Sequence, residues 1–191
     1  MRANCFLLCL ASPVLHKMIS GSFREGTSRR LSMEDVDATA FEQILNLWCG
    51  KAVRAEQLGD VMVMASVADR LEMLEVCAAL ETAIIGELRP EVCAEVLMSS
   101  RRLRLVHVEA AAWGITLRRF DEVCRTAGFM ELDEETMGKL LEEDGLGVVK
   151  EEEAFEGLLG WMKGGAGGGL RGRELLGLIR CTSSPRIPPM H

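Results

Sequence analysis

Leu7-Leu8-Cys9-Leu10-Ala11-Ser12-Pro13-Val14-Leu15-His16-Lys17-Met18-Ile19-Ser20-Gly21-Ser22-Phe23-Arg24-Glu25-Gly26 is the stretch on which the reading of this chain turns. From Cys5 to Ala11 the residues are apolar on nearly every side, which predicts a fully buried helix. Ser12 is a good N-cap and Pro13 a good first helical residue, so the chain kinks there and restarts as a second, short helix. Val14, Leu15, Met18 and Ile19 form its apolar stripe. Gly21 and Gly26 then bracket a loop that exposes Phe23. Leu31 and Met33 alternate with Ser32 and Glu34, a period-two signal for one short strand. Asp37 caps a third helix with Phe41, Ile44, Leu45 and Trp48 on its inner face, and Gly50 stops it. Nothing between Leu7 and Gly50 makes a catalytic arrangement; the stretch reads as a surface on which another protein docks.

Beyond Gly50 the pattern stays helical. A helix over Ala55–Arg70 is expected to bury Leu58, Val61, Met62 and Ala65, and the next, starting at Leu71, to turn Leu74, Cys77, Ala78, Ile84 and Ile85 inward. Arg89-Pro90 interrupts the pattern and is the predicted domain boundary. Helical hairpins follow, with stripes of Val92, Val96, Leu97 and Ser100, then Val108, Ala112 and Ile115. Asp133 is a predicted N-cap for the helix carrying Met137, Leu140 and Leu141. Glu151-Glu152-Glu153 puts negative charge on the first turn of a helix expected to bury Phe155, Leu158, Leu159 and Met162. The glycines from Gly164 to Gly169 read as a linker, Arg173–Arg180 as a last short helix, and the Pro-rich end as a disordered tail.

Composition narrows the function. A hydrophobic fraction of 48% can fill a core, and with aromatics at 5% and no Tyr that core must be aliphatic. The formal charge of −7 disfavours a nucleic-acid binder, which needs a basic footprint. The seven cysteines are odd in number and scattered, mostly on apolar helix faces, which suits a reducing compartment, cytoplasmic or nuclear. The apolar run after Arg2 has neither the length nor the cleavage site of a signal peptide, and no run approaches the ~18 apolar residues of a membrane span. His16, His107 and His191 lie far apart and no Cys-x-x-Cys occurs, so no metal site is expected. Gly145-Leu146-Gly147 and the 164–169 glycines lack the partners of a phosphate loop, so no cofactor is expected. Arg101, Arg102, Arg104, Arg118 and Arg119 read as a solvated face within an acidic chain.

The order of these elements and residues resembles a BTB (POZ) domain followed by a BACK domain, as in the Kelch-like adaptor family. The BTB resemblance lies in Leu10 to Ile19, Phe23-Arg24-Glu25, Leu31 to Val36, Ala40 to Gly50 and Ala55 to Leu71. The BACK resemblance lies in Leu88 to Cys93, Phe120 to Leu132, and Glu151 to Phe155 followed by Trp161. It implies a mainly α fold: a partial BTB/POZ domain over 1–88 with a residual short strand, a BACK domain of stacked helical hairpins over 89–182, and a tail over 183–191. It also implies a non-catalytic adaptor, not an enzyme, that docks on the cullin-3 scaffold of a RING ubiquitin ligase and recruits a substrate protein whose identity the sequence does not give.

The family's hydrophobic-x-Glu element falls on Phe23 and Glu25. With Met18 these are the implied cullin-binding residues, and the first BACK helix adds Val92 and Val96 as a secondary contact. An apolar anchor with a carboxylate two residues on suits a partner pocket; the alternative is that Phe23 folds back over the core while Glu25 is solvated. The family's leading hairpin and N-terminal dimerisation segment have no counterpart before the first helix, which counts against a homodimer, and no Kelch repeats follow the last BACK helix. The alternative function is an interaction or regulatory module without ligase binding.

Overall fold

Side-chain caps start several helices of this chain, and left-handed turns end three of them. The computed structural model describes residues 4–20, 33–34, 36–52, 57–143 and 151–163, with backbone alone over 151–154. Its helices in chain order are α1 (Cys5–Ala11), α2 (Pro13–Ser20), α3 (Ala38–Trp48), α4 (Leu58–Arg70), α5 (Leu74–Gly86), α6 (Pro90–Leu103), α7 (Val106–Arg118), α8 (Phe120–Val123), α9 (Ala127–Met130), α10 (Glu134–Glu142) and α11 (Glu151–Lys163). The fold is mainly α, and no strand occurs among the described residues. Of the strand expected at Leu31–Met33, Leu31 and Ser32 lie outside the described residues and Met33 is irregular. The 164–169 linker, the 173–180 helix and the tail also lie outside them.

Asn4 accepts from the Phe6 N–H at 2.9 Å, Ser12 from Leu15 at 3.1 Å and Asp37 from Ala40 at 2.7 Å. Asp133 accepts from Thr136 at 2.7 Å, and Thr126, which the sequence reading passed over, from Phe129 at 3.3 Å. Each such cap is worth ~1 kcal/mol.

At the other ends, Gly50 (φ 75°), Glu72 (φ 54°) and Arg104 (φ 61°) turn left-handed. In each case the following N–H reaches back to close the helix: Lys51 to the Asn46 carbonyl, Met73 to Ala68 and Leu105 to Ser100, all at 2.9 Å. This is the Schellman arrangement, which glycine adopts without strain and which costs an L-residue with a side chain about 1 kcal/mol. Only the glycine announced itself in the sequence.

The chain divides into two units, one of residues up to Glu87 together with Ser99–Val108, the other of Leu88–Met98 together with residues from Glu109 onward. In the first unit α1 lies on α2, α4 on α5, and α3 against both α4 and α5. Leu15, Ile44, Met64, Ala65, Ala68 and Ile84 are its fully covered centre. Two expectations fail here. Helix α1 is not fully buried: Leu8 and Ala11 are covered, whereas Phe6, Leu7 and Leu10 are exposed. In α5 the inner face is Val76, Cys77, Leu80 and Ile84, while Leu74, Ala78 and Ile85 point outward. Both helices are apolar around most of their circumference, so periodicity could not choose a face and the neighbours chose it instead.

The second unit is organised on α11, which packs against α8 and α9. Trp161 is fully buried and donates from Nε1 to the Leu132 carbonyl at 2.8 Å. Phe120 and Phe129 meet edge to face, with ring centres 5.5 Å apart. A Cβ at Gly157 would lie 3.0 Å from the Cys124 Cβ, so the glycine allows α11 its approach to the end of α8. Phe155, expected inside, is 45% exposed. Leu158 is buried as expected, with Gly157 and Trp161 beside it on the inner face, while Leu159 and Met162 are half-buried.

Candidate docking surface

Ser12 decides where α2 sits. Its side chain is fully buried, its oxygen accepts from the Leu15 N–H, and its hydroxyl donates to the Leu71 carbonyl at 2.5 Å. Leu71 is the C-cap of α4, immediately before the left-handed Glu72. One hydroxyl therefore ties the start of α2 to the end of α4, 59 residues further along the chain. A buried polar group needs such partners, because leaving one unmade costs ~1–3 kcal/mol. Among the described residues every buried side-chain N or O atom has a hydrogen-bond partner.

With its start fixed, α2 turns Leu15 fully inward and leaves Pro13, His16, Lys17 and Ser20 exposed. Val14, Met18 and Ile19 are half-buried along its flank. Met18, the first residue of the expected cullin site, thus lies on a partly open helix face. Phe23 and Glu25, the other two, lie outside the described residues. The secondary pair is on α6: Val92 is half-buried and Val96 is 3% exposed, so Val92 is the one that offers surface.

The sequence reading missed a second surface in the same unit. Phe6 (68% exposed), Leu10 (60%) and Leu7 (44%) stand out from α1, with Cys5 exposed beside them. Grouped apolar side chains of this size on a surface mark interaction sites more often than isolated ones do. A run apolar on all sides carries no signal that would have revealed which residues stay outside.

Burial pushes the Cys77 thiol up to about 11, with Glu81 and Asp69 adding to the shift. Burial likewise pushes Cys93 up to about 11, opposed by the Arg119 guanidinium. Both stay protonated at neutral pH and are poor nucleophiles. Among the described residues no three His, Cys, Asp or Glu side chains are grouped to hold a metal ion, and no helix is long and apolar enough to cross a membrane.

Comparison with known families gives two matches in sequence order. Residues 1–88 match the BTB/POZ domain, and residues 93–183 match BACK, described as BTB And C-terminal Kelch. Kelch-like protein 30 of Homo sapiens is 27% identical over 158 residues, covering 82% of this chain and 27% of that protein. Kelch-like protein 17 of Homo sapiens is 25% identical over 187 residues, covering 97% of this chain and 28% of that protein. Kelch-like protein 38 of Homo sapiens is 27% identical over 159 residues, with 82% and 27% covered. The chain therefore spans just over a quarter of the length of these curated relatives.

Proposed function

Since the chain belongs to the family that joins a BTB/POZ domain to a BACK domain, we propose that it is a non-catalytic adaptor that docks on the cullin-3 scaffold of a RING ubiquitin ligase and supports protein ubiquitination. The observation that carries this reading is the pair of matched domains, in that order and covering nearly all of the chain. In this reading residues 1–88 face the cullin and the first turns of α6 extend the contact. Phe23 is the apolar anchor, Glu25 its orienting carboxylate, Met18 a neighbour on α2, and Val92 the outer contact from α6. The pinned start of α2 supports it physically: a helix held by Ser12 at its first turn presents Met18 with little conformational entropy left to lose on binding. The substrate is a protein recruited by whatever module partners this chain, and the setting is cytoplasmic or nuclear.

The exposed face of α1 favours a second reading, a protein-interaction module that works without the ligase. A pull-down of cullin-3 by the chain, compared with Phe23→Ala and Glu25→Ala, separates the two. Capture by the wild type and loss in the variants is expected. No capture by the wild type at micromolar concentration leaves the interaction module standing.

A further inference from the structure

The turn between α6 and α7 gathers cations around an exposed apolar residue. Arg101, Arg102 and Arg104 fall within four positions, and no Asp or Glu occurs between Glu95 and Glu109. Arg102 and Arg104 are exposed, and Val106 stands 67% exposed beside them. The turn is not loose. Leu105 is buried at 1% exposure with its N–H on the Ser100 carbonyl at 2.9 Å, and the Leu103 carbonyl accepts from the Ser66 hydroxyl of α4 at 3.4 Å.

Two of these arginines have an ordinary explanation: Arg101 and Arg102 occupy the last turn of α6, where positive charge complements the helix dipole. Arg104 does not. It follows the helix at φ 61°, a left-handed position where glycine is the residue without strain. A long cation held there gives up stability that glycine would keep, and what it adds is positive charge next to Val106.

We propose that this turn is a docking site for an acidic peptide segment of a partner protein, with Val106 taking an apolar side chain and Arg102 and Arg104 pairing with carboxylates. Two exposed guanidiniums beside one apolar residue match a short acidic segment, and they are too small a footprint for the extended polyanion of a nucleic acid in a chain of net charge −7. The site goes beyond the cullin reading. Arg104 follows Val92 by twelve residues in the sequence.

The test uses the full chain and a fluorescein-labelled peptide of alternating Asp and Leu, followed by fluorescence anisotropy. Low-micromolar binding at low salt is expected, weakened by added salt. Arg102→Glu with Arg104→Glu should weaken it about tenfold, and Val106→Ser should weaken it too. Arg104→Gly is the decisive variant, because it should raise the melting temperature while lowering affinity, a combination that misfolding cannot give. No binding by the wild type, equal binding by the charge-reversed variant, or tighter binding of single-stranded DNA than of the peptide would overturn the proposal. Loss of cullin-3 capture by the charge-reversed variant would also overturn it, by making the turn part of the ligase contact.

Discussion

Ser12 in the first unit and Trp161 in the second perform the same operation by different means. Each is fully buried, and each donates one hydrogen bond to a backbone carbonyl far away in sequence, Leu71 in one case and Leu132 in the other. Ser12 contributes almost no volume; its oxygen both caps α2 and ties it to the end of α4. Trp161 contributes volume first, as a fully buried side chain of α11, and its N–H bond fixes the ring's orientation. The difference teaches that a helix is placed either by filling space or by satisfying polar groups, and that mutation should expose the two differently.

The largest expected effect is in the second unit. Trp161→Ala should destabilise it by about 3–5 kcal/mol, whereas Trp161→Phe, which keeps most of the ring and leaves the Leu132 carbonyl without its donor, should cost about 1–3 kcal/mol. Urea unfolding followed by circular dichroism measures both, and equal losses would mean that the hydrogen bond rather than the volume dominates. Ser12→Ala should cost about 1–3 kcal/mol, from the lost cap and the Leu71 carbonyl left without its donor. If the two pins act alike through polar satisfaction, Ser12→Thr should retain more of that stability than Ser12→Ala.

Each unit also holds a buried thiol whose ionisation burial opposes, Cys77 in the first and Cys93 in the second. Cys77 and Cys93 are raised to about 11 from an ordinary 9.0. The unfolded chain ionises first, so both units should lose stability as pH rises from about 9 towards about 11 and show no such loss below that window. Iodoacetamide at neutral pH should label Cys5 and Cys49, which are exposed, well before the buried Cys77, Cys93 and Cys124. The smallest effect is a gain. Glu72→Gly should stabilise the first unit by about 0.5–1 kcal/mol by removing the side chain from a left-handed turn. A loss in thermal melts would show that Glu72 makes a compensating contact.

The caps were the most legible part of the sequence. Ser12, Asp37 and Asp133 each stand before a periodic apolar run, and Gly50 after one, because a cap depends on one side chain and the few residues next to it. Faces were legible only where polar residues alternated with apolar ones. In α10 the stripe of Met137, Leu140 and Leu141 was readable and is buried. In α1 and α5 almost any face could have been the inner one, and the long-range packing that chose it leaves no local mark. Glu72 and Arg104 were invisible for a related reason: the Schellman turn there is imposed by the buried Met73 and Leu105 that follow, not by a glycine. Trp161 was readable as part of a family motif, but its reach to Leu132, 29 residues away, was not. Of the candidate site, the structure describes Met18 and Val92, both half-buried, and Val96, at 3% exposure.

The central claim is that this chain docks on cullin-3 through the segment that follows α2. Titrating cullin-3 into the full-length chain by isothermal calorimetry tests it most directly. Saturable binding at micromolar affinity or tighter is predicted, falling about tenfold or more with Phe23→Ala while circular dichroism stays unchanged. No heat of binding from the wild type, or the same affinity in a Phe23→Ala, Glu25→Ala double variant, would contradict it.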